Sequence, residues 1–317
     1  MRVLVAHTYE PPRLEQLRAA FPDIDFVHLP PAAPWPEGIE GAEAYLFAGL
    51  RKRELNELLV AAGRVSWIHT GSAGFDWVMV PEVERRGIVV TRSMDVMSIP
   101  IAEFVLAAML HHAKRVPALM DAQARRSWEP PMHLELRGKT VLVVGVGSIG
   151  RRVAGLCKAF GMEVLGIKRD AAPHENVDEM HPPASLADLL PRAHFVVLCT
   201  PSTPETDGMI GAAELRAMRP DGYLINVARG SLLDDDALVA ALEAGEIAGA
   251  CLDAYDEEPL PADSPLWCAP NLFASPHASY RTPEIRDRVI EEFSANLRRR
   301  LAGEELVGTM RHAHLGY

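Results

Sequence analysis

The sequence predicts an α/β protein built on open, mainly parallel sheets. Short apolar runs that are typical of strands alternate with amphipathic helical patterns from the first residues onward. A glycine-rich turn at residues 145–150 directly follows one of these runs, and a second series of strand-like runs begins there. The chain of 317 residues is longer than a single core usually organises, so we expect two domains.

The first hundred residues predict five strands and two helices. A proline at the start of the first helical pattern fits the first turn of a helix, where its missing N–H is not needed. The predicted strands lie at residues 2–7, 23–29, 42–48, 65–70 and 87–91, and the helices at residues 11–21 and 55–63.

A long helix is predicted from Ser98, with an apolar face and a course that bends at Pro117 and continues toward Trp128. The adjacent His111 and His112 point about 100° apart on it, which argues against a metal site, and we expect a solvated face there. Strands follow at residues 140–144, 163–168, 194–200, 222–228, 247–255 and 272–277. Helical patterns cover residues 185–193, 211–219, 234–245 and 282–303.

Composition excludes several classes of function. The chain has 32 Lys plus Arg against 43 Asp plus Glu, a net charge of -11, so it lacks the basic balance of a nucleic-acid binder. No apolar run approaches the ~20 residues that span a bilayer, so no membrane partner is expected. The four cysteines are far apart and form no C-x-x-C pair, which favours reduced thiols, no metal and a cytoplasmic location.

The turn GVGSIG is the first motif that bears on chemistry. Its residues Gly145, Gly147, Ser148, Ile149 and Gly150 follow the apolar run TVLVV and open a helical pattern. That context suits a dinucleotide, because the glycines permit a tight turn and close approach, and the helix N-terminus attracts the phosphates. The sequence therefore predicts a nicotinamide dinucleotide cofactor.

The end of the next strand bears on the choice between NADP(H) and NAD(H). NAD sites usually have an acidic residue about 20 residues after the glycines, where it holds the ribose diol. This chain has Lys168 followed by Arg169, and two cations suit a 2′-phosphate. We therefore expect NADP(H) to be preferred, with NAD(H) possible if Asp170 is the ribose ligand. Glu175 and Asp178 in the following acidic loop would weaken the preference for NADP(H) if they lay nearby.

Three further residues follow strand-like runs of the second half. Arg229 lies in NVARG, Glu258 in DEEP and His277 in SPHAS. Singly, each is as readily explained by a structural role, but the carboxyl ends of parallel strands are where such sheets place their sites. An arginine there matches a carboxylate, and a histidine suits proton transfer.

With these motifs, the sequence resembles the D-isomer-specific 2-hydroxyacid dehydrogenases, and is similar to their glyoxylate/hydroxypyruvate reductases. The resemblance covers about residues 65–300. It rests on HTGSAGFD, SIPIAEFVLAAML, GVGSIG, CTPSTPETDGMI, NVARGSLLDDDAL, GACLDAYDEEPLP and SPHAS. It implies a catalytic set of Arg229, Glu258 and His277 that interconverts a small 2-oxo acid and its D-2-hydroxy acid. Lys168 and Arg169 stand where many members have Asp.

The resemblance also implies the domain organisation. The substrate domain, with a flavodoxin-like α/β fold, would comprise residues 1–98 and 281–317. A Rossmann dinucleotide-binding domain would comprise residues 99–280. The helix that begins at Ser98 would pack against a second copy of the chain, since the apolar face of Ile101, Val105, Ala108 and Met109 exceeds what one small domain covers. We therefore expect a homodimer.

The remaining site residues are also implied by the resemblance. Backbone N–H groups of Ala73 and Gly74 would hold the substrate carboxylate together with Arg229. Asp253 would bind the nicotinamide carboxamide. The other cofactor-binding residues would be Cys199, Thr200, Pro201, Thr206, Val227, Ala228 and Ser279. The competing class is a cofactor-sensing corepressor on the same scaffold, which would bind NAD(P)(H) without turnover.

Overall fold

The computed structural model describes residues 1–71 and 77–310, and within them it has the predicted α/β fold with parallel sheets. The chain divides into two compact units. Unit 1 comprises Met1–Met97 and Thr282–Tyr317, and unit 2 comprises Ser98–Arg281. No helix among the described residues is long and apolar enough to cross a membrane.

Unit 1 contains a five-stranded sheet in the order β2-β1-β3-β4-β5, with every strand parallel to its neighbours. This is the order of flavodoxin-like sheets. Its strands are β1 (Arg2–Val5), β2 (Asp25–His28), β3 (Ala44–Phe47), β4 (Trp67–Thr70) and β5 (Val89–Arg92). The first three helices are α1 (Pro11–Ala20), α2 (Lys52–Ala61) and α3 (Pro81–Arg86).

The strands of unit 1 lie where the apolar runs predict them, but α3 was not anticipated. Its six residues are too few to display a helical period. Local signals define it instead: Pro81 occupies the first turn, and Gly87 ends the helix in the left-handed conformation, with φ of 62°.

Unit 2 contains a seven-stranded parallel sheet in the order β12-β11-β10-β9-β6-β7-β8, which is the Rossmann order with one added strand. The strands are β6 (Thr140–Val144), β7 (Glu163–Ile167), β8 (Glu179–His181), β9 (Phe195–Leu198), β10 (Tyr223–Asn226), β11 (Gly249–Leu252) and β12 (Leu272–Ala274). The helices of unit 2 are α4 (Ser98–Ala113), α5 (Val116–Ala124), α6 (Ser148–Ala159), α7 (Leu186–Leu189), α8 (Ala212–Ala217) and α9 (Asp235–Ala244). The last helix, α10 (Glu284–Ala302), belongs to unit 1.

The long helix predicted from Ser98 to Trp128 is wrong beyond Ala113. Arg115 adopts a left-handed backbone, with φ of 47°, and this breaks the helix. Pro117 then lies in the first turn of α5, where its missing N–H is tolerated, so it helps to begin a helix rather than bend one. Trp128 lies after the end of α5 and is 99% exposed.

The histidines of α4 are packed rather than solvated, contrary to expectation. His111 stacks on Phe273 with ring centroids 4.9 Å apart, and His112 stacks on Tyr223 at 4.2 Å. Burial is the first cause that lowers the pKa of each imidazole. Because the rings are neutral at neutral pH, they act here as flat, mainly apolar surfaces against the sheet.

A third histidine, His69, is fully buried in β4 of unit 1. Its Nδ1 lies 2.8 Å from the Thr91 hydroxyl and its Nε2 lies 3.2 Å from the Ser93 hydroxyl, so both ring nitrogens are satisfied without charge. Burial lowers the pKa of His69 from 6.5 to about 3.

We predict that His69 makes unit 1 sensitive to acid. Its folded-state pKa lies below the unfolded value, so the stability it contributes is fully present above pH 6.5 and is lost as the pH falls toward 3. Relative to His69→Gln, the wild type should therefore lose about 2 kcal/mol of unfolding free energy between pH 6.5 and 5, at 1.36 kcal/mol per pH unit. Urea unfolding at several pH values measures this. His133→Gln, at an exposed histidine, is the control and should keep the pH dependence of the wild type. An equal pH dependence in the wild type and in His69→Gln would contradict the prediction.

Candidate functional site

The glycine-rich turn lies between β6 and α6 and leaves room at the N-terminus of the helix. Gly145 has φ of 100°, and a Cβ there would lie 2.7 Å from the backbone of Cys199 and Thr200. A Cβ on Gly150 would lie 2.1 Å from the Gly145 carbonyl oxygen, so both positions require glycine. A Cβ on Gly147 would instead meet no atom within 4 Å.

The space beside Gly147 fits a dinucleotide phosphate. Gly147 is the N-cap of the 12-residue α6, so no N-cap side chain accepts hydrogen bonds from the first-turn N–H groups. The first turn contains no acidic residue that would repel an anion. With Ser148 and Ile149 in that turn, the geometry provides N–H donors and the positive end of a helix dipole.

Lys168 and Arg169 directly follow β7 and are exposed. The Lys168 N–H still donates to the His181 carbonyl of β8, at 3.0 Å, so the strand geometry extends to this residue. The pKa of Glu205 is lowered first by a hydrogen bond from Thr203 and also by the charge of Arg169. This effect indicates that Arg169 lies near the loop after β9.

Two of the acidic residues that follow, Asp170 and Asp178, are engaged in other contacts. Asp170 accepts a hydrogen bond from the Ala172 N–H, at 3.2 Å, within its own turn. Asp178 pairs with Lys158 at 2.7 Å and accepts from the Val164 N–H at 2.8 Å. Val164 lies near the amino end of β7, whereas Lys168 follows its carboxyl end. At about 3.3 Å per residue, the Asp178 carboxylate on Val164 is therefore about 13 Å from Lys168 along the strand.

In the loop after β9, Thr206 binds other residues of the same loop. The Thr206 hydroxyl donates to the Pro201 carbonyl at 2.7 Å and accepts from the Thr203 N–H at 2.8 Å. The Cys199 N–H donates to the Val144 carbonyl at 2.8 Å, which fixes the start of the loop beside the glycine turn. Burial raises the pKa of the Cys199 thiol to about 12, so the thiol is neutral. Thr200 lies within the same segment.

Arg229 is held by a buried amide that sequence reasoning missed. Asn226, the last residue of β10, is fully buried. Its Oδ1 accepts from the Ala228 N–H at 3.0 Å, and its Nδ2 donates to the Arg229 carbonyl at 2.9 Å. A polar residue at the end of the apolar run YLIN was the signal for it. Val227 and Ala228 are themselves buried, and the Arg229 guanidinium donates to the Ala228 carbonyl at 2.7 Å.

Glu258 and His277 are in direct contact. Nδ1 of His277 lies 2.8 and 2.9 Å from the two carboxylate oxygens of Glu258. Glu258 Oε1 also accepts from the Tyr255 N–H at 3.0 Å, which orients the carboxylate. Because a carboxylate only accepts, Nδ1 carries a proton, and Nε2 is the ring nitrogen left to exchange a proton with a ligand.

Asp253 is almost fully buried, and its carboxylate binds the segment that carries His277. It accepts from the Ser275 hydroxyl at 2.7 Å, from the Ala278 N–H at 2.8 Å and from the Ser279 N–H at 3.1 Å. Its contact with a nicotinamide carboxamide stays a prediction, as does the role of Ser279. Sequence reasoning missed Ser275, although it is the first polar residue after the apolar strand β12.

The Arg229 segment packs directly on the Glu258 segment through Gly230. A Cβ on Gly230 would lie 1.8 Å from the Tyr255 carbonyl carbon and 2.0 Å from the Asp256 nitrogen, so the two backbones touch. The structure thus ties the predicted Arg229 loop to the Glu258–His277 pair within unit 2. The predicted substrate ligands Ala73 and Gly74 lie outside the described residues. The described residues hold no cluster of metal-ligating side chains.

Comparison with known proteins gives consistent matches. Residues 106–279 match the model of the D-isomer specific 2-hydroxyacid dehydrogenase NAD binding domain. A glyoxylate reductase of Thermofilum pendens is 35% identical over 257 residues, which cover 78% of this chain and 75% of that protein. A family protein of Aeromonas salmonicida has a crystal structure with TM-score 0.87, at 30% identity over 98% of both chains. A second structure, from Xanthobacter autotrophicus in complex with NADPH and MES, gives 0.85 at 29% identity over 99% of both chains.

We predict that Gly230→Ala destabilises unit 2, because the new methyl group overlaps the Tyr255 backbone. Overpacking of this kind lowers the free energy of unfolding by about 1–3 kcal/mol. Gly63→Ala is the matched control, since a Cβ there meets nothing within 4 Å, and it should change stability by less than about 1 kcal/mol. Urea unfolding of the three proteins measures the effect. Equal stability of the two variants would show that the backbones at Gly230 are not in close contact.

Proposed function

The chain belongs to the D-isomer-specific 2-hydroxyacid dehydrogenases, and we propose that it reduces glyoxylate, hydroxypyruvate or a similarly small 2-oxo acid with NADPH. Members of this family are NAD(P)-dependent oxidoreductases, and so is this protein. The observation that carries the proposal is the 2.8 Å contact between Glu258 and His277, on strand-end loops beside the one that carries Arg229. This set supplies an anion ligand and a proton donor at one edge of the sheet.

Arg229 binds the substrate carboxylate in this proposal. The planar guanidinium presents parallel N–H donors that match a carboxylate, and one donor reaches the adjacent keto oxygen. The positive charge polarises the carbonyl and stabilises the oxyanion that develops on reduction. Asn226 fixes the backbone on both sides of the Arg229 loop, which orients the side chain before the substrate arrives.

His277 donates the proton. NADPH held at the glycine turn after β6 would supply the hydride for the carbonyl carbon, and the carbonyl oxygen would then need one proton. Nε2 of the doubly protonated His277 donates its proton to that oxygen, so the product is the neutral 2-hydroxy group. Glu258 holds Nδ1, which fixes the ring orientation and balances the imidazolium charge.

We assign dinucleotide binding to unit 2 and propose unit 1 as the substrate domain, whose Ala73 and Gly74 would hold the substrate carboxylate together with Arg229 of unit 2. The pyrophosphate would bind the first turn of α6, with Gly145, Gly147 and Gly150 giving it access. Around this turn, the other residues proposed to line the cofactor are Cys199, Thr200, Pro201, Thr206, Val227, Ala228, Asp253 and Ser279.

The preference for NADPH rests on Lys168 and Arg169. Both cations follow β7, where the adenosine ribose is expected. Asp170 is engaged in its own turn, and Asp178 is paired with Lys158 toward the other end of the strand. These contacts support the proposal, because Asp178 is directed away from Lys168 and Asp170 already accepts a backbone hydrogen bond in its own turn. NAD(H) remains a weaker alternative cofactor.

We predict that glyoxylate and hydroxypyruvate are reduced, with NADPH preferred over NADH by about 10- to 1,000-fold in kcat/KM, from one or two charge-assisted contacts. The measurement is a panel of 2-oxo acids assayed with each cofactor by the absorbance of the reduced nicotinamide. Chiral analysis of the hydroxypyruvate product should give the D-isomer. Cofactor binding without turnover on any acid would instead favour a sensing protein and contradict the proposal.

The same assay tests the two cations. The pair Lys168→Asp, Arg169→Ala should reverse or abolish the preference for NADPH and leave the maximal rate with NADH nearly unchanged. Lys139→Asp makes the same Lys-to-Asp change at the amino end of β6, so it is the control for added negative charge and should leave the preference intact. A wild-type preference for NADH would identify Asp170 as the ribose ligand.

We also propose that the protein is a cytoplasmic homodimer. The face of α4 that suggested this, Ile101, Val105, Ala108 and Met109, is already buried within the chain, so it no longer supports the idea. Exposed apolar side chains that follow α4 support it instead: Leu119, Met120, Trp128, Met132 and Leu134. The four cysteines are free thiols, which supports a reducing compartment.

We predict a mass about twice the 34.7 kDa of the chain by light scattering at micromolar concentration. The double variant Trp128→Asp, Met132→Asp should be monomeric, because charges at these positions oppose burial against a second copy. Val60→Asp places a charge on another exposed apolar position, in α2, and should leave the mass unchanged. A monomeric wild type would contradict the proposal.

A further inference from the structure

The backbone of His277 has a conformation that its sequence does not favour. Its φ is 50°, in the left-handed region that side chains with a Cβ rarely adopt. Such a residue keeps this conformation only when surrounding contacts fix it. The direction of Nε2 depends on this backbone, to which the ring is attached, together with the Nδ1 contact with Glu258 and an edge contact with the Tyr280 ring, 6.2 Å between centroids.

The hydroxyl of Tyr255 contacts the turn that carries His277. Its phenol is buried, and the hydroxyl lies 3.0 Å from the Leu252 carbonyl and 3.0 Å from the Ser275 carbonyl. The Ser275 carbonyl also accepts the His277 N–H at 2.9 Å. One carbonyl oxygen therefore joins the phenol to the turn, and the phenol joins the end of β11 to the end of β12.

Ser275 binds the same turn through Asp253. Its hydroxyl donates to Asp253 Oδ1 at 2.7 Å, and the same carboxylate accepts the N–H groups of Ala278 and Ser279. The carboxylate thus holds residues on both sides of His277. Because Asp253 and Ser275 are both buried, water does not compete for these hydrogen bonds.

We propose that Tyr255 and Ser275 are positioning residues for His277, which hold its left-handed backbone so that Nε2 faces the substrate while Nδ1 stays on Glu258. Neither side chain needs to touch the substrate or the cofactor. The inference rests on the proposed function only for the role of His277 as proton donor. The geometry of the turn itself can be tested without any reaction.

The test compares Tyr255→Phe and Ser275→Ala with Tyr223→Phe. Tyr223 is a matched control, since it is also buried and its hydroxyl also donates to a strand carbonyl, that of Ala250 at 2.9 Å, but it does not contact the turn. We expect kcat to fall about 3- to 30-fold in the first two variants, the range for one lost hydrogen bond, and less than about 2-fold in Tyr223→Phe. The KM for NADPH should stay within about 2-fold in all three.

The pH profile and hydrogen exchange separate positioning from a general loss of stability. With the turn loosened, Glu258 supports the imidazolium less well, so the alkaline limb of kcat for reduction should move to lower pH in the two test variants alone. In the ligand-free protein, amide exchange of the peptide over residues 275–280 should also be faster in those two variants than in Tyr223→Phe.

The outcomes separate this inference from the proposed function. If the wild type reduces no 2-oxo acid, the function is wrong, and faster exchange at residues 275–280 still supports the role of Tyr255 and Ser275 in the turn. If the wild type is active but both test variants match Tyr223→Phe in kcat, pH profile and exchange, the inference is overturned.

Discussion

The parallel pairing of the strands in unit 2 is the constraint on which the site depends. Parallel strands bring all their carboxyl ends to one edge of the sheet, and every described site residue of this unit lies at or shortly after such an end. The glycine turn follows β6, the two cations follow β7, and Arg229, Glu258 and His277 follow β10, β11 and β12. Residues 132 positions apart in the chain, Gly145 and His277, thereby come to the same edge.

Buried polar groups then convert that edge into a defined geometry. Asn226, Tyr255 and Asp253 each bind backbone or hydroxyl groups of the strand-end segments, and each is shielded from water. In such surroundings a satisfied hydrogen bond is strong and an unsatisfied group is costly, so the loops have few alternative conformations. The close contact at Gly230 adds a steric limit, because any side chain there would separate two of the segments.

The sequence predicted the parts of this arrangement that leave a local signature. Apolar runs predicted the strands, and Gly145 and Gly150 were recognisable because a motif demands them at close backbone contacts. His277 and Glu258 were identified by resemblance, and the structure shows that the loops after two adjacent strands, β11 and β12, bring them into contact. The role of Asn226 was not predictable in the same way, since a lone amide after an apolar run has many explanations. The break at Arg115 was missed because a left-handed arginine has no sequence signal of its own, and β8 is too short and mixed to stand out.

We propose that His277 transfers the proton, while the glycine turn and the two cations bind the cofactor independently of it. The most direct measurement combines turnover of glyoxylate or hydroxypyruvate with the Kd of NADPH from fluorescence titration, in the wild type and in His277→Ala. We expect kcat to fall about 10²- to 10⁴-fold in His277→Ala, the usual range for loss of a general acid, with little change in Kd. A variant that keeps near-wild-type turnover would contradict it.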